Sequence, residues 1–142
     1  MITAQDTTAL AKTWYTSFND RNFDKNVSIC EENIVLNNLA FGTTFKGHAG
    51  VREWLSNWST ALPDARVEIV SIIASENGVA TEFIGRGTHK GPLMGPQGAI
   101  PATGKKIEVR FCETFQVKNG KFADHRIYFD GATMLRQLGL IA

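Results

Sequence analysis

The sequence predicts an α+β domain with an antiparallel sheet, and three observations support this. Apolar residues recur at helical spacing up to Leu62, alternate as in strands from Val67 onwards, and are interrupted by two Asn-Gly pairs, Asn77-Gly78 and Asn119-Gly120. An Asn-Gly pair between two β-rich runs is typical of a tight hairpin. Helices followed by hairpins indicate α+β rather than alternating α/β architecture.

The first part of the chain is predicted to be mainly helical. Stripes of apolar residues at helical spacing mark the long helices, and Pro63-Asp64 ends the last of them. The predicted elements are a helix capped by Asp6 or Thr7 and ending near Asn19, a short helix over Phe23 to Ile29, a strand over Ile34 to Leu39, and a helix from Gly47 to Leu62.

The second part is predicted to be a set of strands with a short closing helix. Strand side chains alternate between two faces, which separates an apolar row from a polar row in each run. The predicted elements are strands over Val67 to Ala74, Val79 to His89, Lys106 to Val117 and Phe122 to Phe129, and a helix over Gly131 to Gly139 that Asp130 caps.

Glu113 interrupts the apolar row of its own strand. The other members of that row are apolar, namely Ile107, Val109, Phe111, Phe115 and Val117. A carboxylate there loses hydration, so it must find a partner or exchange a proton readily. Carboxylates in apolar sites recur in general acid–base catalysis, which makes Glu113 a candidate catalytic residue. Alternatively, Glu113 has a structural role and forms an ion pair with a neighbouring cation.

Length and composition predict a single domain over residues 1–142 and exclude several classes of function. Hydrophobic residues make up 43% and charged residues 20% of the chain, and the net charge is +1. Neither a basic run nor a long apolar run is present, so we expect no nucleic-acid partner and no membrane association. Without a visible secretory signal, and with only Cys30 and Cys112, we expect a cytoplasmic protein with reduced thiols.

The segment from Lys90 to Gly104 differs from the strands on either side. It contains three of the four prolines, together with the apolar residues Leu93, Met94 and Ile100. Long connections with apolar residues often cover a binding site. A loop anchored on the rim of the sheet is an equally good interpretation.

The chain resembles the SnoaL-like polyketide cyclases of the nuclear transport factor two-like superfamily. The resemblance depends on the order of several short motifs rather than on any one of them. They are Trp14-Tyr15, Phe18-Asn19, Phe23-Asp24, Phe45-Lys46-Gly47, Gly87-Thr88-His89-Lys90-Gly91-Pro92, Ile100 to Lys105, Asn119 to His125, Asp130 and Arg136 to Leu140.

The resemblance implies a curved sheet wrapped around the N-terminal helices, a conical cavity, and usually a homodimer formed through the sheet. The best-known members of the family are cofactor-independent cyclases that close a ring by intramolecular aldol condensation. In those cyclases an aspartate acid/base lies two residues beyond the histidine of the last strand. The corresponding positions here are His125 and Ile127, and the partner histidine on the neighbouring strand is replaced by Glu113.

The register of the last hairpin decides whether Glu113 and His125 meet. With a two-residue Asn-Gly turn, Glu113 lies opposite Arg126, and the two form an ion pair on one face. Apolar alternation instead places His125 on the inward face with Ala123, Ile127 and Phe129. A one-residue bulge would bring Glu113 and His125 to the same face.

The leading hypothesis is a cofactor-independent acid–base enzyme acting on a small hydrophobic carbonyl or hydroxylated metabolite. Glu113 and His125 are the candidate catalytic residues, and Asn38 or a tyrosine would bind the developing oxyanion. The candidate substrate-binding residues are Tyr15, Phe18, Asn38, Trp54, Trp58, His89, Met94, Phe111 and Ile127. Gly85 and Gly87 leave room for a ligand or mark a bend of the sheet.

Two alternatives remain open, and neither involves a metal or a cofactor. The isoleucine at position 127 favours a non-catalytic protein that binds a hydrophobic small molecule. A dimerisation module with a filled cavity is the other alternative. No pair of histidines has the spacing of metal ligands, so we expect no metal site.

Overall fold

The computed structural model describes all residues from Met1 to Ala142 and contains four helices and eight strands. The helices are α1 (Ala4–Asn19), α2 (Phe23–Ser28), α3 (Gly47–Ala61) and α4 (Gly131–Gln137). The strands are β1 (Cys30–Asn38), β2 (Thr43–Lys46), β3 (Arg66–Ala74), β4 (Gly78–Thr88), β5 (Leu93–Gly95), β6 (Gly98–Ile100), β7 (Lys106–Lys118) and β8 (Lys121–Phe129).

Six strands form one sheet in the order β2-β1-β8-β7-β4-β3. Four of its strand pairs are antiparallel, as predicted, but β1 and β8 run parallel. A parallel pair requires a crossover, and here nearly the whole chain between the two strands provides it. The prediction of an α+β fold is confirmed, and the sheet is antiparallel except at the β1–β8 pair, which was not predicted.

Helix α1 begins earlier than the sequence analysis predicted. Thr3 is its N-cap, and a capping box joins Thr3 and Asp6, whose side chains each accept a hydrogen bond from the other's backbone N–H. Asp6 therefore lies inside the first turn and does not itself cap the helix.

No helix of the structure combines the length and apolarity needed to cross a membrane.

One further strand, β2, and a small hairpin were not predicted. The first sheet strand begins at Cys30 rather than at Ile34, and its far end pairs with β2. The segment between Lys90 and Gly104 forms the two-stranded β5–β6 hairpin. These strands of three or four residues are too short to show alternation in the sequence.

The apolar faces of α1 and α3 pack against the inward face of the sheet. On α1 the buried residues recur at helical spacing, and β4, β7 and β8 contribute alternate side chains to the same core. Gly50 allows α3 to approach β2, because a Cβ atom there would lie 2.8 Å from the backbone carbon of Phe45. The helices and the sheet thereby enclose one hydrophobic core of 25 buried residues.

The last hairpin contains the bulge that brings Glu113 and His125 to one face. Its turn is the expected Asn119-Gly120 pair, with φ angles of 54° and 74°. The register then shifts between Gln116 and Val117, because Ala123 has no partner on β7. Beyond this bulge Glu113 lies opposite Ile127 rather than opposite Arg126. The Glu113–Arg126 ion pair, which a hairpin without a bulge would allow, therefore does not form.

Candidate active site

Glu113 lies in the middle of β7 and points into the core. Only 2% of its surface is exposed, although it is a charged residue. Tyr15 donates a hydrogen bond of 2.7 Å to its Oε1. Its Oε2 has no hydrogen-bond partner in the protein, and Glu113 lines a cavity. One carboxylate oxygen is thus held in place, and the other is free to contact a molecule in that cavity.

Tyr15 connects Glu113 to Thr81 in a buried chain of hydrogen bonds. The Tyr15 hydroxyl lies 2.5 Å from Thr81 Oγ1, on the neighbouring strand β4. Since the single hydroxyl proton of Tyr15 is donated to Glu113, Thr81 donates to Tyr15. Burial, followed by the nearby charge of Glu113, raises the pKa of Tyr15 well above its ordinary value of 10.0. Tyr15 is therefore a hydroxyl donor that keeps its proton.

His125 lies behind Glu113 and does not line the cavity. Its ring is fully buried, stacks on Phe115 at 4.0 Å, and meets the edge of Trp14 at 5.1 Å. The distance from His125 Nε2 to Glu113 Oε1 is 3.1 Å, but neither ring nitrogen makes a hydrogen bond of good geometry. We regard the pair as a close polar contact, because directional hydrogen bonding needs the N–H to point at the oxygen.

The cavity in front of Glu113 is small and almost entirely apolar. Its volume is about 60 Å³, and 12 of its 16 lining residues are hydrophobic. Ordinary small-molecule sites occupy roughly 300–1,000 Å³. Five predicted binding residues line this cavity, namely Tyr15, Phe18, Trp54, Trp58 and Phe111. The site as it stands accommodates only a small molecule.

Gly85 and Gly87 do not leave open space for a ligand. A Cβ atom on Gly85 would lie 3.1 Å from the Phe111 ring, and a Cβ atom on Gly87 would lie 2.9 Å from Leu62. Both glycines therefore let neighbouring side chains pack closely against β4. Of the two, only Gly85 lines the cavity.

All three tryptophans of the chain line the cavity. Trp14 comes from α1, and Trp54 and Trp58 come from successive turns of α3. None of the three indole N–H groups donates a hydrogen bond to another residue. An indole N–H is a donor only, and it usually finds a partner when buried. An indole N–H that lacks a protein partner is a candidate donor to a molecule in the cavity.

Two predicted binding residues, Asn38 and Met94, lie in a different cavity. This outer cavity of about 280 Å³ is bounded by the end of β1, by β2, by one side of α3 and by β5. Trp54 and Trp58 line both cavities and separate them. The predicted set of binding residues thus divides between two sites.

His89 and Ile127 line neither cavity. Ile127 is fully buried opposite Glu113. His89, a candidate binding residue, is also fully buried, and its Nδ1 accepts a hydrogen bond from the backbone N–H of Thr103. His89 joins the two ends of the 90–104 segment, since its backbone pairs with Lys105 and Gly104. Its position follows from these backbone contacts, which strand alternation does not reveal.

Thr81, Trp14 and Phe83 belong to the site although the sequence analysis did not propose them. Thr81 could have been found from the same signal as Glu113, because it is a polar residue between Val79 and Phe83 in the inward row of β4. Trp14 of α1 is both buried and cavity-lining.

Solved structures with the same fold cover almost the whole chain. A SnoaL-like polyketide cyclase candidate from Jannaschia sp. CCS1 superposes with a TM-score of 0.86 at 12% identity, covering 98% of this chain and 95% of the other. AclR, a hydroxylase candidate from Streptomyces galilaeus, gives a TM-score of 0.82 at 22% identity, with coverage of 98% and 88%. IdmH, a polyketide cyclase candidate from Streptomyces antibioticus, gives 0.77 at 23% identity, with coverage of 94% and 98%.

At these identities the structural similarity establishes the fold, which is also that of a ketosteroid isomerase-like protein from Catenulispora acidiphila. No curated protein matches the chain. The family model described as SnoaL-like polyketide cyclase matches residues 8–138, a span that includes the helices of the core, the whole main sheet and Glu113. The chain therefore belongs to the SnoaL-like polyketide cyclase family.

Proposed function

We propose that the protein is a cofactor-independent acid–base enzyme that moves a proton on a small, largely apolar carbonyl compound. The observation that carries this proposal is the Glu113 carboxylate, which is buried beside an apolar cavity with Oε1 held by Tyr15 and Oε2 unpartnered. A base in this setting needs little reorganisation to reach a carbon-bound proton next to a carbonyl group.

The neighbouring side chains support a proton-transfer role for Glu113. Tyr15 orients the carboxylate and keeps its own proton, because its pKa is raised. His125 contacts only Oε1, so it acts through Glu113 as a positioning residue rather than on the ligand itself. Tyr15 is already engaged and Asn38 lies in the outer cavity, so the indole N–H groups are the better donors to a developing oxyanion.

The cavity restricts the size of the compound. One water molecule, which has a single non-hydrogen atom, needs roughly 10–15 Å³ of cavity volume. A cavity of about 60 Å³ therefore holds roughly four to six non-hydrogen atoms. Butanone and cyclopentanone fall within this range. Larger compounds require movement of the half-buried Trp58, which forms part of the wall.

Hydrogen–deuterium exchange at carbon tests the proposal without knowledge of the natural substrate. We expect the protein in D₂O to accelerate loss of the α-proton NMR signals of butanone or cyclopentanone. Glu113→Gln should abolish the acceleration, since the amide keeps the shape and an acceptor for Tyr15 but is not a base. The matched control is Glu108→Gln, on the same strand but exposed and paired with Arg86.

Unchanged exchange in Glu113→Gln would overturn the mechanism. A protein that binds these ketones without accelerating exchange would instead support the alternative function, non-catalytic binding of a hydrophobic small molecule. The apolar lining of the cavity and the isoleucine at the cyclase aspartate position favour that alternative.

We further propose that the protein forms a homodimer through the outer face of the sheet. Ile73 and Val70 of β3 and Tyr128 of β8 are exposed apolar side chains there, with 72%, 48% and 39% of their surfaces accessible. Exposed apolar patches rimmed by polar residues are typical of protein interfaces.

A further inference from the structure

The outer cavity has the features of a binding site in its own right. It encloses about 280 Å³, several times the volume of the cavity at Glu113. Five of its eleven lining residues are hydrophobic, and the others are polar or glycine. It therefore combines apolar walls with groups that can form directed hydrogen bonds, as small-molecule sites do.

Asn38 is a buried residue whose accessible side-chain NH₂ group has no hydrogen-bond partner in the protein. Its Oδ1 accepts hydrogen bonds from the backbone N–H groups of Ala40 and Phe41, at 3.1 and 3.3 Å. These bonds determine which end of the amide is oxygen, since only an acceptor can face two N–H groups. The Nδ2 group has no partner in the protein, although only 4% of the residue is exposed. Its hydrogens are left for a molecule in the outer cavity.

Glu53 provides an acceptor on another wall of the same cavity. It makes no ion pair and lies one helical turn before Asn57, which also lines the cavity. An unpaired carboxylate at a cavity rim accepts hydrogen bonds from hydroxyl groups more strongly than a neutral group does.

Aromatic rings form part of the wall of the outer cavity. Trp54 and Trp58 meet edge to face with centroids 5.6 Å apart, and Phe45 lies 5.6 Å from Trp54. Aromatic walls suit a flat ring, and the flexible side chain of Met94 lies half exposed over the opening.

We propose that the outer cavity binds a neutral ring compound bearing a carbonyl and a hydroxyl group, independently of the cavity at Glu113. The carbonyl oxygen accepts from Asn38 Nδ2, the hydroxyl donates to Glu53, and the ring packs against Trp54 and Trp58. An anionic ligand is disfavoured, because the only formal charge lining the cavity is the Glu53 carboxylate, which would repel it.

4-Hydroxybenzamide is a suitable probe, because it has both polar groups and no carbon-bound proton next to its carbonyl. Its binding can therefore be measured without any turnover, and failure of the proposed acid–base function would not affect the result. In ¹H–¹⁵N correlation spectra we expect shifts of the Asn38 side-chain amide and of the Trp54 and Trp58 indoles. The Trp14 indole should not move, since Trp14 lines only the inner cavity.

Asn38→Asp tests the donor with little change of shape. The carboxylate still accepts from Ala40 and Phe41 but offers no donor, so affinity for the probe should fall at least about tenfold. The control is Asn77→Asp, which makes the same change in the exposed turn between β3 and β4, away from both cavities. Should Asn38→Asp fail to fold, Glu53→Gln in its place should weaken 4-hydroxybenzamide more than benzamide, which lacks the hydroxyl.

Three results would overturn the proposal. One is absence of binding by the wild-type protein at millimolar probe. Another is a set of shifts that includes Trp14 but not Asn38, which places the probe in the inner cavity. The third is unchanged affinity in folded Asn38→Asp or Glu53→Gln variants.

Discussion

The Tyr15 hydroxyl donates a 2.7 Å hydrogen bond to Glu113 Oε1, across 98 residues of sequence. This contact joins the first helix to the centre of the sheet inside the core. Because the same hydroxyl also bonds Thr81, its loss would leave Glu113 Oε1 without a hydrogen-bond donor and Thr81 with only its 3.4 Å bond to the backbone carbonyl of Glu113.

Replacing Tyr15 by phenylalanine should therefore destabilise the fold by about 1–3 kcal/mol, the usual cost of leaving buried hydrogen-bonding groups unsatisfied. The free energy of unfolding in urea measures the effect. Tyr128→Phe is the control, because Tyr128 is exposed and its hydroxyl has no protein partner. Equal stability of the two variants would contradict the buried network.

The raised pKa of Tyr15 should make the protein sensitive to alkali. Its folded-state pKa lies well above the ordinary 10.0, so its contribution to stability is complete below about pH 10 and is lost as pH rises towards the folded-state pKa. In a Tyr128→Phe background Tyr15 is the only tyrosine. Phenolate absorbance should then appear only with unfolding, monitored by circular dichroism. Ionisation near pH 10 in the folded protein would show that Tyr15 is not buried beside a carboxylate.

Restoring the cyclase aspartate by Ile127→Asp should not create a cyclase. Ile127 is fully buried directly opposite Glu113, so the variant places a second carboxylate in an apolar core. We expect a loss of at least about 3 kcal/mol of unfolding free energy. Ile127→Val removes one methylene and should cost only about 0.5–1.5 kcal/mol. A stable Ile127→Asp protein at neutral pH would mean that this position has access to water or to a cation.

The proposed dimer depends on the outer face of the sheet, so a charge at Ile73 should weaken it. We expect Ile73→Lys to shift sedimentation from dimer to monomer at micromolar concentration. Leu39→Lys is the matched control, because Leu39 is similarly exposed but lies in the turn after β1. A wild-type protein that sediments as a monomer would exclude this interface.

The alternation of apolar and polar residues was sufficient to predict the main strands and the inward orientation of Glu113. The two Asn-Gly pairs were sufficient to predict the hairpins. Neither signal could decide the register of the last hairpin, because the turn and the apolar row favoured pairings that differ by one residue. The structure resolves this conflict with the unpaired Ala123, which allows Phe115 and His125 to be buried together. Burial of the apolar side chains on the inward face of β8 stabilises the fold by more than the backbone pairing lost at Ala123 costs.

Features that depend on distant parts of the chain were not predictable. The parallel pairing of β1 with β8 joins strands that no local pattern relates. The division of the binding residues into two cavities depends on where Trp54 and Trp58 lie between α3 and the sheet. His89 was assigned from its place in a strand, whereas its position is determined by Thr103 and Lys105 beyond the hairpin.

The three tryptophans that line the cavity have a practical consequence for the study of this protein. Since the chain has no other tryptophan, its entire indole fluorescence originates at the walls of the inner cavity, and two of the three indoles also line the outer cavity. The emission of the unlabelled protein should therefore respond to occupancy of either cavity, with little background from the rest of the fold. Libraries of compounds can be screened by this intrinsic signal before any reaction is known.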